Sequence, residues 1–227
     1  MNNNIIAIVP AAGTGTRLGD ALPKQYLDVN GVPLIRHALD ALARVTRISR
    51  IVVVLSPDDR HWANLMPDLP KVTTVRVGGA TRGESVLNGM QAVAAEVAAD
   101  SWVMVHDAAR PCIRSELIDQ FIDELENDRV GGLLALPLAD TIKLGGDNLR
   151  VEKTLPREAI WRAQTPQMFR FEMLRNGLLK TPSATDEAQA IELLGHQPKL
   201  VMGDSANLKV TYAPDLKLAR MLLTPGD

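Results

Sequence analysis

Short apolar runs rich in β-branched residues alternate with amphipathic segments along most of this sequence. The runs show no polar alternation, which is typical of strands buried on both faces of a parallel sheet. We predict strands at residues 5–9, 51–55, 72–77, 102–105, 131–138 and 200–202. Strands that alternate with helices at this spacing predict an α/β fold with a mostly parallel sheet.

The segments between these runs repeat their apolar residues with the period of a helix. Asn30-Gly31, before the first of them, is typical of a tight turn. The predicted helices begin at Pro33, near Glu84, after a Ser115 cap, after a Thr185 cap and at Pro214. The helix that Thr185 caps is expected to end at Gly195, because glycine commonly follows the last turn.

After residue 138 the sequence predicts a hairpin instead of another strand and helix. Residues 141–144 and 149–153 flank Gly145-Gly146-Asp147-Asn148, a combination that favours a turn between two strands. No linker rich in Ser, Gly or Pro interrupts the chain. We therefore expect one domain over residues 1–227, from which an arm at about residues 138–160 projects.

Composition and charge argue against nucleic acids and membranes as binding partners. The 25 Lys and Arg residues and 27 Asp and Glu residues give a net charge of −2, so a nucleic acid partner is not expected. The apolar run at residues 5–12 is too short for a membrane span, and no longer one occurs. Cys112 is the single cysteine, which predicts a packing residue in a protein of the reducing cytoplasm.

The loop after the first predicted strand is the best candidate for a ligand site, since ligands bind beyond the carboxyl ends of parallel strands. Its small residues let backbone N–H groups approach a polyphosphate closely. It is not a dinucleotide loop, because Leu18 stands where a third glycine is needed, and it lacks the Gly-Lys-Ser/Thr of a P-loop. Arg17 and Lys24 flank the loop, and two cations there suit a triphosphate.

Several short blocks follow one another along nearly the whole chain. They are Pro10-Ala11-Ala12-Gly13-x-Gly15-x-Arg17, Pro23-Lys24-Gln25-Tyr26, Gly78-Gly79-x-x-Arg82-x-x-Ser85-Val86, Val105-His106-Asp107-Ala108-Ala109-Arg110-Pro111, Asp140-Thr141-x-Lys143, Thr165-Pro166-Gln167, Thr185-Asp186-Glu187-Ala188 and Asn207-Leu208-Lys209-Val210-Thr211. In content and order they resemble the 2-C-methyl-D-erythritol 4-phosphate cytidylyltransferases of isoprenoid precursor biosynthesis. The resemblance implies a Rossmann-like, three-layer α/β/α nucleotidyltransferase fold with a protruding β-hairpin arm.

The resemblance also implies a reaction. The phosphate of methylerythritol phosphate attacks the α-phosphorus of CTP, pyrophosphate leaves, and Mg²⁺ is bound mainly to the triphosphate. Arg17 and Lys24 are then the catalytic cations. The implied CTP ligands are Ala11, Ala12, Gly13, Gly15, Gly79, Ala80, Ser85, Asp107 and Ala108, and Asp107 also contacts Mg²⁺.

The implied ligands of methylerythritol phosphate are Arg110, Thr141, Arg157, Thr165, Thr185 and Lys209. The resemblance further implies a homodimer formed through the hairpin arm, in which Arg157 acts in the partner's active site.

Two other functions remain open at this stage. Ribitol-5-phosphate cytidylyltransferases share the loop, the arm and the chemistry. They tend to have Ala-Gly-Gly and Lys-Gln-Phe in the corresponding blocks, whereas this chain has Ala12 and Tyr26. A non-catalytic nucleotide-binding protein is the third hypothesis. The argument against it is the joint presence of Arg17, Lys24, Asp107 and Lys209.

Overall fold

The computed structural model describes residues 5–13, 22–66 and 69–224. Its strands are β1 (Ile5–Pro10), β2 (Asp28–Val29), β3 (Val32–Pro33), β4 (Ile48–Val54), β5 (Val72–Val75), β6 (Trp102–Val105), β7 (Gly131–Pro137), β8 (Ile142–Gly145), β9 (Val151–Leu155), β10 (Trp161–Arg170) and β11 (Lys199–Met202). Its helices are α1 (Leu34–Arg44), α2 (Trp62–Leu65), α3 (Arg82–Val93), α4 (Ser115–Leu125), α5 (Phe171–Lys180), α6 (Glu187–Glu192) and α7 (Ala213–Leu222).

Seven strands form one sheet in the order β11-β7-β10-β6-β1-β4-β5. β1 pairs in parallel with β4 and β6, and the pairs β4–β5 and β7–β11 are also parallel. β10 runs antiparallel to both of its neighbours, β6 and β7. The prediction of an α/β fold with a mostly parallel sheet is confirmed.

Helices cover both faces of this sheet. One apolar cluster joins the sheet to α1 and α4, with Leu39 and Phe121 fully buried in it. A second cluster on the other face joins the sheet to α3, α5 and α6 and includes Met90 and Leu174. The three-layer α/β/α arrangement is therefore confirmed.

A third, smaller apolar cluster packs α7 against β2 and the start of α1. Cys112 is buried there against Ala219, as expected of a packing residue, and burial raises the pKa of its thiol to about 11. The predicted turn at Asn30-Gly31 joins β2 to β3, and both residues have positive φ, as a type I′ turn requires.

The sequence pattern missed β10 and α5. β10 contains Pro166, which normally argues against a central strand because proline cannot donate to the ladder. The register of β10 on β7 shifts between Ala163 and Gln167, so Pro166 falls in the irregular part of the strand. The sequence pattern therefore predicted neither a strand nor a helix between the hairpin and α6.

Two predicted helix caps are wrong by one residue. Ser115 is the first residue of α4, and Arg114 occupies the cap position without a side-chain bond. The cap of α6 is Asp186, not Thr185, because the Asp186 carboxylate accepts the Gln189 N–H at 2.9 Å. α6 ends at Glu192, before the predicted end at Gly195.

β8 and β9 form the predicted hairpin as a separate two-stranded sheet. The second strand begins at Val151, later than predicted, because Leu149 lies in the turn with a φ of +57°. Leu149 and Val151 are 97% and 62% exposed, so the arm presents apolar side chains at its surface. Within the described ranges, no helix is long and apolar enough to cross a membrane.

Candidate active site

The carboxyl ends of β1 and β6 open into a cavity of about 490 Å³. β1 and β6 are neighbours in the sheet, but the chain continues from β1 to β4 on one side and from β6 to β7 on the other. Such a switch point is where parallel sheets bind ligands. The described residues that line the cavity are Pro10, Ala11, Ala12, Gly13, Lys24, Gln25, Gly79, Ala80, Thr81, Arg82, Ser85, Asp107, Ala108, Ala109, Lys209 and Thr211.

Most of the predicted CTP ligands therefore meet around one cavity, together with the predicted cation Lys24. The ammonium group of Lys24 lies 3.4 Å from the Val210 carbonyl oxygen, which places it beside the segment that carries Lys209. The predicted residues Gly15 and Arg17 lie outside the described residues.

Gln25 holds the loop after β1. It is 4% exposed, and its amide donates hydrogen bonds to the carbonyl oxygens of Ala11 and Gly13 at 2.8 and 3.1 Å. The Ala11 N–H donates to the Val54 carbonyl oxygen at 2.8 Å, so the loop is also tied to β4. Gln25 lies in the block Pro23-Lys24-Gln25-Tyr26, but nothing in the sequence pattern assigned it a role.

The turn before α3 packs directly on this loop. A Cβ atom added to Gly78 would lie 2.2 Å from the Cβ of Ala12, a distance that side chains do not tolerate. Glycine at residue 78 and alanine at residue 12 therefore allow the two loops to meet. This contact places Gly79 and Ala80 on the cavity wall.

The polar groups of this turn bond to one another. The Ser85 hydroxyl accepts the Gly79 N–H at 3.1 Å and donates to the Thr81 carbonyl at 2.9 Å. Thr81 caps α3 by accepting the Glu84 N–H at 3.1 Å, and the Glu84 carboxylate accepts the Ala80 N–H at 2.8 Å. These bonds fix the turn rather than leave the Ser85 hydroxyl open to the cavity.

Asp107 follows β6 and carries an ion pair on each oxygen. Its Oδ1 lies 2.7 Å from Arg82 Nε, and its Oδ2 lies 2.7 Å from Lys209 Nζ. Burial alone would raise the pKa of Asp107, but the charges of Arg82 and Lys209 hold that pKa well below its usual range. Asp107 is therefore ionised and oriented before any ligand arrives.

Arg82 connects Asp107 to a second carboxylate that sequence reasoning did not assign. Two nitrogens of Arg82 bond to the two oxygens of Glu187 at 2.7 and 3.0 Å. Glu187 begins α6 and is completely buried. Although burial alone would lower the pKa of Arg82, Glu187 and Asp107 raise it, so the guanidinium stays charged. Arg82 and Glu187 both lie in sequence blocks that resemble the family. Those blocks were the signal from which the two residues could have been assigned to the site.

Arg110 and Thr165 are buried next to Asp107 and are not among the residues that line the cavity. Arg110 donates to the Asn207 carbonyl oxygen at 2.7 Å, and its buried Nε has no hydrogen-bond partner among the residues the structure describes. The Thr165 hydroxyl accepts the Asp107 N–H at 3.0 Å. The bond to Thr165 thus fixes the backbone of Asp107.

His106 is also buried and contacts both Arg110 and Thr165. Its Nε2 lies 3.3 Å from the Arg110 carbonyl oxygen, which only accepts, so Nε2 carries the proton. Its Nδ1 then accepts from the Thr165 hydroxyl at 3.2 Å. Burial lowers the pKa of His106 to about 4, so the ring is neutral near pH 7.

Of the six predicted ligands of methylerythritol phosphate, all of them described, only Lys209 lines this cavity, and Arg110 and Thr165 are buried next to Asp107. Thr141 and Arg157 are exposed at the arm, where the Arg157 guanidinium donates to the Ala139 carbonyl oxygen. Thr185 is exposed just before α6. Within one chain, the cavity therefore contains only part of the predicted substrate site.

The donor set limits how Mg²⁺ could bind. No group of three or more His, Cys, Asp or Glu side chains suited to a metal occurs within the described part of the chain. Asp107 is the carboxylate on the cavity wall, and a single carboxylate suits Mg²⁺ when substrate phosphates supply other ligands. The residues present thus fit a Mg²⁺ ion that is shared with a triphosphate.

Comparison with known proteins identifies the family. A family model described as IspD, 2-C-methyl-D-erythritol 4-phosphate cytidylyltransferase, matches residues 5–225. The enzymes of that name from Nitrosospira multiformis and Dechloromonas aromatica are 52% and 55% identical over 226 and 219 residues. These alignments cover 97% of both chains in the first case and 96% of both in the second.

Solved structures agree with the sequence relatives. The crystal structure of a 4-diphosphocytidyl-2C-methyl-D-erythritol synthase is similar with a TM-score of 0.87 and 36% identity, covering 98% of this chain and 99% of that one. The Francisella tularensis 2-C-methyl-D-erythritol 4-phosphate cytidylyltransferase is similar with a TM-score of 0.84 and 34% identity, covering 97% and 100%. The chain belongs to the 2-C-methyl-D-erythritol 4-phosphate cytidylyltransferase family.

Proposed function

We propose that this chain transfers the cytidylyl group of CTP to 2-C-methyl-D-erythritol 4-phosphate and releases pyrophosphate, as a step of isoprenoid precursor biosynthesis. The observation that carries the proposal is the cavity in which Asp107 pairs with Arg82 and Lys209, while Lys24 lies on the wall beside a loop of small residues. A site with these charges suits a reaction between two phosphates.

The chemistry requires little proton transfer. The attacking phosphate oxygen is already an anion, so alignment and neutralisation of charge at the α-phosphorus account for catalysis. His106 takes no part as a base, because it is buried and bonds through both nitrogens to Arg110 and Thr165. Arg17 and Lys24 are the proposed cations at the α-phosphate.

Nucleotide binding is proposed for the loops after β1, β5 and β6. Backbone groups of Ala11, Ala12, Gly13 and Gly15 bind the triphosphate. Gly79 and Ala80 contact the cytidine, while Ser85 acts through the turn that its hydroxyl holds in place. Asp107 and Ala108 complete the site from β6.

Asp107 is also the proposed protein ligand of Mg²⁺. When bound, Mg²⁺ neutralises part of the triphosphate charge. A Mg²⁺ ion at Asp107 would compete with its ion pairs, and the more exposed of the two partners at 2.7 Å is Lys209, with 41% of its side chain accessible. Lys209 released from Asp107 is then available to the phosphate of the second substrate.

The second substrate is proposed to bind Arg110, Thr165, Thr185 and Lys209, with Thr141 and Arg157 contributed by a partner chain. A lone two-stranded hairpin is marginal in water, and this one exposes Leu144, Leu149 and Val151. A second copy in a two-fold arrangement would cover those side chains. We propose a homodimer formed through the arm, in the cytoplasm that a chain with one cysteine favours.

Product analysis tests the activity. Purified protein with CTP and Mg²⁺ is expected to form CDP-methylerythritol and pyrophosphate from methylerythritol phosphate, at a much higher kcat/KM than with ribitol 5-phosphate. The reverse preference would assign the chain to the ribitol phosphate enzymes. Binding of CTP without turnover of either polyol phosphate would favour the non-catalytic hypothesis.

Subunit mixing tests the shared site. Lys24→Ala and Arg157→Ala are each expected to be inactive as homodimers. Their mixed dimer contains one site with both defects and one with neither, so activity should recover up to the fraction of mixed dimers. If mass spectrometry shows that subunits exchange and no activity returns, Arg157 does not act across the dimer.

A further inference from the structure

Gln25 is a buried side chain that the proposed reaction does not use. Both of its amide hydrogens are engaged, by the carbonyl oxygens of Ala11 and Gly13 at 2.8 and 3.1 Å. Carbonyl oxygens only accept hydrogen bonds, so the chemistry fixes which end of the Gln25 amide faces the loop. A glutamate of the same shape could not make either bond.

These bonds determine how one peptide plane of the loop is turned. In a planar trans peptide the C=O and the following N–H point in opposite directions. Because the Ala11 carbonyl points to Gln25, the N–H of Ala12 points to the other side. The Ala11 N–H is held by Val54 at 2.8 Å, so this part of the loop is restrained from two directions.

We propose that Gln25 is a positioning residue that turns backbone carbonyls of the loop away from the nucleotide, so that N–H groups face the triphosphate. Carbonyl oxygens facing the triphosphate would repel its oxygens, whereas N–H groups attract them. Ala12 and Gly13 both line the cavity, so the controlled peptides are at the ligand. The inference rests on the proposed function, which supplies CTP as the ligand.

The position of Gln25 is itself fixed on both sides. It is the middle residue of a one-turn 3-10 helix, Lys24–Tyr26. The Tyr26 hydroxyl donates to Asp59 at 2.7 Å, and Lys24 contacts the Val210 carbonyl oxygen. One rigid turn thus places a cation at the cavity and a pair of amide donors under the loop.

Direct binding measurements test the proposal. Gln25→Met keeps the size of the side chain but has no donor, and Gln25→Glu keeps the shape but presents oxygens to both carbonyls. The matched control is Gln167→Met, because Gln167 is 1% exposed, bonds to Asp186 and Ala188 at 2.9 and 2.8 Å, and does not line the cavity. The ligands are CTP with Mg²⁺ and inorganic pyrophosphate with Mg²⁺, measured by calorimetry, with Tm recorded for every variant.

Loss of two hydrogen bonds that order the loop should raise the Kd for CTP about tenfold in Gln25→Met, and further in Gln25→Glu. The KM for methylerythritol phosphate in Gln25→Met should stay within about twofold, because the proposed ligands of that substrate lie outside the loop. Gln167→Met should lower Tm while keeping the Kd for CTP within about twofold.

An unchanged Kd for CTP in Gln25→Met, or an equal loss in Gln167→Met, would overturn the proposal. If Gln25→Glu does not fold, Gln25→Met decides the question alone. The binding measurements do not depend on transfer. A wild-type chain that binds CTP but transfers nothing to methylerythritol phosphate would therefore refute the proposed function and leave the role of Gln25 to be judged separately.

Discussion

Replacing Arg82 by methionine should destabilise the fold by a predictable amount. Arg82 makes three charge-assisted hydrogen bonds, one to Asp107 and two to the completely buried Glu187. Asp107 keeps Lys209 as a partner, but Glu187 loses both of the Arg82 bonds. Removing one partner of a buried ion pair costs about 3–5 kcal/mol, so this is the expected loss in the free energy of unfolding.

Urea and thermal unfolding measure the effect. For a domain of this size, about 3–5 kcal/mol corresponds to a fall in Tm of roughly 6–20 °C. The control is Arg50→Met, because Arg50 also pairs with a carboxylate at 2.7 Å, but its partner Glu96 is 64% exposed. That pair is worth at most about 1 kcal/mol.

A double variant separates the buried charge from other effects of the substitution. Adding Glu187→Gln to Arg82→Met removes the uncompensated carboxylate, so it should restore part of the stability, about 1–3 kcal/mol. The reasoning fails if Arg82→Met costs no more than Arg50→Met. It also fails if the double variant is less stable than Arg82→Met alone.

Three further outcomes are expected. Lys24→Ala should lower kcat by about 10²–10³ with little change in CTP affinity, and a near-normal kcat in single-turnover assays would remove Lys24 from the reaction. CTP should be preferred over UTP and ATP in kcat/KM, because backbone groups of the Gly79 turn are proposed to read the exocyclic edge of cytosine and to admit only a pyrimidine; equal use of ATP would mean that the base binds elsewhere. Burial and the hydrogen bond to Asp59 raise the pKa of Tyr26, so the neutral phenol favours the fold and that stabilisation is lost as pH rises above about 10. Tyr26→Phe should make the alkaline fall in unfolding free energy shallower, and an unchanged slope in urea titrations would contradict this.

The strands that the sequence predicts best are those buried on both faces. β1 and β6 need only apolar, β-branched residues, and the pattern records that requirement directly. β10 was missed because its centre is polar and contains Pro166. Gln167 is buried there only because Asp186 and the Ala188 N–H satisfy its amide, and a sequence pattern does not contain that contact.

The residues of the candidate site were likewise only partly predictable from the sequence. The blocks around Lys24 and Asp107 could be found in the sequence, because a loop after a strand and a cation beside it are local features. The pairing of Arg82 with Glu187 joins residues 105 positions apart and depends on how α3 and α6 pack on the sheet. The pattern therefore supplies candidate residues, whereas their partners follow only from the fold.

The charges of the site explain why CTP and Mg²⁺ suit it together. The chain as a whole is slightly acidic, with a net charge of −2. Among the described residues of the site, the three cations Arg82, Arg110 and Lys209 pair with the two carboxylates of Asp107 and Glu187. Lys24 adds a further positive charge to the cavity wall. A lone divalent cation would be repelled there, whereas a triphosphate carries more negative charge than one Mg²⁺ ion neutralises. We therefore expect the proposed Mg²⁺ ion to enter with the nucleotide, and Asp107 would become more available to it as phosphate oxygens compete for Lys209.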